Sequence, residues 1–209
     1  ACKESQLAEL PGFGKKTEEK FLAEIERLAG SGVRFGVQFF SRWYHATGVD
    51  EVWDRGAMRP YWDVVTSLGV PVYFTLYNGG RGAREFQPSQ RDTYLDEHRN
   101  LSRWMERYPD TTVTITHGLP WHTFLEDGNR FSFPEEIWDV FQSPACHLQL
   151  MVPIMMGTLW ECPWPESEPT IAECIERIGA GRLMWGTDMP LTARYCTYRQ
   201  ALDQFRVHC

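Results

Sequence analysis

The sequence has no run of about 18 apolar residues, so nothing in it marks a helix able to cross a bilayer. It also lacks a basic run: 21 Lys and Arg stand against 28 Asp and Glu, a net charge of −7. That balance argues against nucleic acid as a partner, because phosphate binding needs clustered cations. The opening Ala1-Cys2-Lys3-Glu4-Ser5 has no basic segment leading into an apolar one, so no export signal is read there. No CxxC pair occurs either. Cys2, Cys146, Cys162, Cys174, Cys196 and Cys209 are scattered through a chain too long to need covalent staples, and they are read as reduced thiols of a cytoplasmic protein. What remains is a protein whose partner is a small molecule, with neither membrane nor nucleic acid involved and a homo-oligomer left open.

What is present is a chain of 209 residues, 43% of them hydrophobic, enough to bury a core. Thr17 is placed to cap a helix with Glu18 and Glu19 in its first turn and Phe21, Leu22, Ile25, Leu28 and Ala29 at helical spacing. Gly30 and Gly32 end it, and Val33, Phe35, Val37 and Phe39 then alternate as in a strand. The unit recurs. A helix ending at Gly69 leads into a strand over 70–76, and a long helix through Leu95, Leu101, Trp104 and Met105 leads into a strand over 111–116. A short helix opened by Pro134 precedes a strand from His147 to Val152, and a helix opened by Pro169 precedes one over 182–186. A last helix begins near Thr197.

The strands start near residues 33, 70, 111, 146 and 182, so the spacings are 37, 41, 35 and 36, the length of a strand plus a helix rather than of a hairpin. A parallel α/β sheet follows. An open doubly wound sheet fits this alternation, but loops rich in aromatic, His, Asp and Gly residues after each strand favour a (β/α)8 barrel. Eight such units would need about 300 residues, so five units imply an incomplete barrel. An unclosed sheet exposes an edge and an apolar face, and the 209 residues are expected to be a fragment or fused piece rather than a complete enzyme.

In a barrel the reacting groups sit at the carboxyl ends of the strands. The polar residues there are Gln38, Thr75, Tyr77, His117, Gln149, Thr187 and Asp188. Asp188 closes Leu183-Met184-Trp185-Gly186-Thr187-Asp188-Met189-Pro190; its carboxylate has the chemistry to hold a metal or take a proton from water. The plainer reading is a turn or helix-capping Asp. His117 follows Val113-Thr114-Ile115-Thr116 and precedes Gly118-Leu119-Pro120-Trp121-His122, where an imidazole can polarise a carbonyl or bind a metal, or simply hold the loop by a hydrogen bond. His45 and His122 lie in loops on the same side. Trp43, Tyr44, Tyr77, Trp121, Trp160, Glu161 and Trp164 are candidates to line a pocket, with Arg81 or Arg84 to pair with a substrate's charge. His147 and Arg182 fall at the amino ends of strands and are read as structural, Arg182 to be met by a helix end or a carboxylate.

The segments His117-Gly118 and Arg182-Leu183-Met184-Trp185-Gly186-Thr187-Asp188-Met189-Pro190 resemble the amidohydrolase-related proteins. This branch of the amidohydrolase superfamily contains decarboxylases of the aminocarboxymuconate semialdehyde and resorcylate type, with several lactonases and other hydrolases. Gly69-Val70-Pro71-Val72 and Arg107-Tyr108-Pro109-Asp110 are similar to the segments at its fifth strand and before its sixth.

The resemblance implies that these are strands four to eight of the barrel, with residues 1–209 a partial domain and a His-x-His pair upstream. It makes Asp188 the metal-binding or proton-transferring aspartate and His117 the sixth-strand histidine. It implies a divalent ion, zinc or manganese, and a hydrolase or decarboxylase acting on a small carboxylate or cyclic substrate. Trp121, His122, Tyr77, Thr75 and His45 are then the substrate-binding candidates. Phe74-Thr75-Leu76-Tyr77 departs from the pattern, because a metal-binding histidine is usual where Thr75 stands and a hydroxyl is the weaker ligand. That departure favours a metal-independent lactonase-type hydrolase with Asp188 as general base, or a catalytically silent barrel that binds a small molecule or a protein.

Overall fold

The computed structural model describes residues 14–16, 19–20, 23–24, 27, 36–45, 52–76, 88–126, 130–157 and 159–207. Its centre is a five-stranded sheet of β1 (Val37–Phe40), β2 (Val72–Thr75), β3 (Val113–Ile115), β6 (Cys146–Leu150) and β7 (Leu183–Trp185). Each strand lies beside its predecessor and every pair is parallel, as expected for successive strand-helix units. Between β3 and β6 the chain makes a small antiparallel hairpin, β4 (Leu125–Glu126) with β5 (Arg130–Phe131). The helices are α1 (Ser41–His45), α2 (Arg59–Ser67), α3 (Pro88–Arg107), α4 (Val152–Met156), α5 (Glu168–Ile178) and α6 (Tyr198–Val207).

Several expected boundaries shift. Lys15 and Lys16 are already helical, ahead of the Thr17 expected to cap that helix. Residues 31–35, where the first strand was expected to begin, lie outside the described residues. The helix expected after Pro134 is two 3-10 turns, Glu135–Ile137 and Asp139–Gln142. Val152 opens α4 instead of ending β6, because Pro153 has no N–H for a sheet ladder and suits the first turn of a helix. In α5 the buried Thr170, Ile171, Cys174 and Ile178 fall on one face, and Gly179, at φ 92, ends the helix.

Strand register sorts the sheet into two faces. Phe39, Phe74, Ile115, Leu148 and Leu183 are aligned neighbours across all five strands, and they face the helices. Phe39 meets Trp62 at 4.9 Å and Trp53 at 5.3 Å, and Phe74 meets Trp104 at 5.0 Å between ring centroids. Trp53, Trp62, Phe74 and Trp104 are fully buried, so this ring cluster carries a large part of the hydrophobic stabilisation. Two of its indole N–H groups are met: Trp62 Nε1 donates to the Trp53 carbonyl at 2.6 Å, and Trp53 Nε1 to the buried Glu97 carboxylate at 2.9 Å, whereas buried Trp104 Nε1 has no hydrogen-bond partner among the described residues. Arg103 of α3 donates two hydrogen bonds to buried Asp54, at 3.0 and 3.2 Å.

Arg182 sits below β7 as expected, donating to the carbonyls of Ile178, Phe141 and Ser143, each at 2.8 Å. It thereby closes the end of α5. Among the described residues no helix is long and apolar enough to cross a membrane, and Cys146, Cys162, Cys174 and Cys196 are free thiols.

Candidate functional site

On the other face of the sheet, one step along, Phe40 is paired with Thr75 and Gln149 with Met184, and Thr116 stands between them one residue past the end of β3. This row lies at the carboxyl ends of the strands and is largely polar. Gln38 Nε2 donates to Thr75 Oγ1 at 3.3 Å, and Thr75 Oγ1 lies 2.6 Å from Thr116 Oγ1. His117 Nδ1 lies 3.2 Å from Thr116 Oγ1 and 3.4 Å from Thr75 Oγ1. The His117 N–H points at Gln149 Oε1, a long contact of 3.4 Å. A hydrogen-bonded chain thus runs from β1 to β6. Thr116 was missed in the sequence; the signal that would have found it is its place beside Thr75 in parallel register.

His117 and Asp188 both hold left-handed backbone, at φ 64 and φ 54. Asp and His enter that region more readily than most residues, and at a strand end it turns the side chain off the sheet plane. Gly118 follows at φ 70. Gly186 answers a different constraint: a Cβ there would sit 2.8 Å from Gln149 Nε2, so the Gln149 side chain occupies the space a larger residue would need.

Burial holds the His117 imidazole below its ordinary pKa of 6.5, and the Asp188 carboxylate opposes the shift in part. The ring is therefore neutral at pH 7, and Asp188 is within electrostatic reach of it. Among the described residues the Asp188 carboxylate accepts no hydrogen bond; its backbone carbonyl takes the Leu191 N–H at 2.9 Å. The capping role weighed for it is therefore not what its side chain does here. Thr187 serves the turn, its hydroxyl accepting from Met189 N–H at 3.3 Å.

Other candidates fall elsewhere. His45 is not in a loop but ends α1, and its Nε2 lies 2.6 Å from the Glu97 carboxylate, which raises its pKa. Trp121 is 1% exposed and packs on Phe131 at 5.4 Å, so it belongs to the core and not to a pocket wall. Trp164 and Tyr44 are likewise buried, whereas Trp160 is half-buried and Glu161 exposed. His122 is half-buried in the turn Trp121–Phe124, and burial lowers its pKa. Tyr77, Arg81, Arg84 and the Trp43 side chain lie outside the described residues. A cleft of about 470 Å³ opens at the amino ends of β2 and β3 beside Asp63, Arg107 and Tyr108, at the opposite ends of these strands from Thr75 and His117.

Among the described residues no group of three or more His, Cys, Asp and Glu side chains is placed to hold a metal ion. Asp188 offers one carboxylate, and the Thr75 hydroxyl is already engaged by Thr116. The donors described here do not complete a metal site.

The architecture is that of a parallel α/β protein in which His117 and Asp188 follow the carboxyl ends of two strands. The sequence matches the family described as Amidohydrolase over residues 7–208, and the chain belongs to that family. No curated protein gives a significant match. Among solved structures, the chain is similar to 2,6-dihydroxybenzoate decarboxylase complexed with 2,6-dihydroxybenzoate, at 20% identity and a TM-score of 0.47, covering 75% of this chain and 50% of that one. It is similar to a dihydroxybenzoic acid decarboxylase from Polaromonas with bound manganese and the inhibitor 2-nitroresorcinol, at 18% identity and a TM-score of 0.49, covering 78% and 51%. A third is 5-carboxyvanillate decarboxylase from Sphingomonas paucimobilis, at 16% identity and a TM-score of 0.47, covering 89% and 56%. The chain spans about half the length of these proteins.

Proposed function

We propose that residues 1–209 supply strands four to eight of a (β/α)8 barrel whose mouth hydrolyses or decarboxylates a small carboxylate or cyclic substrate, with the first strands contributed by sequence outside this chain. The observation that carries this reading is the pair His117 and Asp188: two titratable side chains on left-handed backbone, at the carboxyl ends of strands in one parallel sheet, within electrostatic reach of each other.

In hydrolysis, Asp188 takes a proton from the attacking water. The neutral His117 donates a hydrogen bond to the oxygen that gains charge as the carbonyl carbon becomes tetrahedral. In decarboxylation, Asp188 takes the proton of the substrate's carboxylic acid, the bond to the carboxyl carbon breaks with its electron pair left on the substrate carbon as CO2 leaves, and Asp188 returns that proton to the carbon. A divalent ion, zinc or manganese, held in part by Asp188 is what the family resemblance implies. It would add Lewis acidity, but its remaining ligands would have to come from residues other than those described, and no step here runs through it.

The test is turnover and metal content of the full-length protein against Asp188→Asn and His117→Asn, with panels of lactones, esters and aromatic carboxylic acids. Loss of the proton-transfer group in Asp188→Asn should lower kcat/KM by ~10²–10⁴-fold, and loss of the oxyanion donor in His117→Asn by ~10²–10³-fold. Wild-type turnover retained in both variants would remove the assignment. A transition metal that is near-stoichiometric in wild type and falls in Asp188→Asn would restore the metal-assisted form.

A further inference from the structure

We propose that Thr75 and Thr116 are positioning residues that hold the His117 ring with Nδ1 as a hydrogen-bond acceptor and Nε2–H facing the barrel mouth. This deepens the reading of His117 given above and rests on it for its use, though not for its geometry.

The argument is one of counting hydrogens. Gln38 Nε2 is a donor only, so Thr75 Oγ1 accepts at 3.3 Å and has its single hydrogen to give onward. The short 2.6 Å separation to Thr116 Oγ1 marks where that hydrogen goes. Thr116 then has one hydrogen and two acceptors at equal range: the Phe74 carbonyl and His117 Nδ1, both at 3.2 Å. The Phe74 carbonyl already takes the Thr116 N–H at 2.8 Å, whereas His117 Nδ1 is flanked by hydroxyls alone. The hydrogen directed to Nδ1 gives an unbroken head-to-tail chain, Gln38 to Thr75 to Thr116 to His117, in which each bond polarises the next.

The other ring nitrogen then follows. A neutral imidazole whose Nδ1 accepts must carry its proton on Nε2, its other polar edge. The arrangement presents a donor to a developing oxyanion. It also gives the hydroxyl of Thr75 an occupation of its own: it serves β3 instead of facing a ligand.

The experiment is NMR of protein labelled with ¹⁵N-histidine, above pH 7, without substrate. The His117 resonances are assigned by their loss in His117→Asn. Expected are a one-bond proton coupling at Nε2 and a pyridine-type shift at Nδ1 in wild type. The same pattern should persist in Thr116→Ser, which keeps the hydroxyl, and become a mixture of both tautomers in Thr116→Val. A proton on Nδ1 in wild type overturns the proposal, and so does an unchanged pattern in Thr116→Val. If Thr116→Val does not fold, the wild-type spectrum decides alone. Because the ring is read without substrate, the proposed pattern together with full turnover in the Asp188 and His117 variants would sink the catalytic reading and leave the tautomer assignment standing.

Discussion

The two faces of the central sheet, separated by a single step along each strand, are built on opposite terms. Phe39 and Phe74 pack on tryptophans, and with Ile115 and Leu148 they are at most 9% exposed. One residue further on, Phe40, Thr75, Gln149 and Met184 are half-buried and Thr116 is buried, and what joins Thr75, Thr116 and, through His117, Gln149 is hydrogen bonding rather than ring packing. Alternation in an ordinary half-solvated sheet sends polar side chains to water. Here they pair across strands and converge on His117, so the helix-facing side supplies cohesion and the other side supplies aim.

That division can be broken first from the helix-facing side. Trp62→Ala should cost about 3–5 kcal/mol, the usual range for deleting a buried tryptophan, because its ring contacts Phe39, Trp53, Phe74 and Trp104 together. Denaturant unfolding measures it, and a loss under about 1 kcal/mol would mean the ring cluster is not the stabilising centre.

A smaller effect tests the same packed layer by pH. His98 is 1% exposed, and burial pushes its pKa down to about 3 from 6.5. Between those values the unfolded chain binds a proton that the folded chain does not, so stability rises with pH and is lost as pH falls below about 6.5. The slope contributed is about 1.4 kcal/mol per pH unit at most, and His98→Phe should remove it from the pH dependence of unfolding. His45 works in the opposite sense. Its pKa is raised, chiefly by the hydrogen bond to Glu97, so its contribution is present below 6.5 and fades as pH rises through the folded value. An acid slope unchanged in His98→Phe would refute the assignment.

The smallest expected change in stability lies on the opposite face. Gln149→Ala removes a half-buried side chain with one long hydrogen bond, so unfolding should move by no more than about 1 kcal/mol. Turnover should nevertheless fall about tenfold, since Gln149 spans the space between His117 and Gly186. A stability loss matching that of Trp62→Ala would erase the distinction between the two faces.

The parallel alternation was legible because its signals are local: apolar runs of strand length, prolines at helix starts, and an even spacing. The placement of His117 and Asp188 just past strand ends was legible because strand ends advertise themselves by the residue types that follow. Pairings across long separations were not. His45 reads as a loop histidine until Glu97, on another element, is placed beside it. Trp121 and Trp164 read as pocket walls because an aromatic in a loop carries no mark of which way the loop folds; both turn inward. Thr75 read as a lost ligand because residue type alone cannot show that its hydroxyl has neighbours at Gln38 and Thr116.

The left-handed backbone at positions 117 and 188 has a practical consequence for how the site is interrogated. Asparagine shares with aspartate and histidine an unusual tolerance of that region, whereas alanine and branched replacements do not. An alanine scan would therefore confound chemistry with local backbone rearrangement at the two positions of most interest. Asparagine at each keeps the main chain in register and changes only the group on display, so the cleanest probes of this mouth are set by torsion angles rather than by side-chain size.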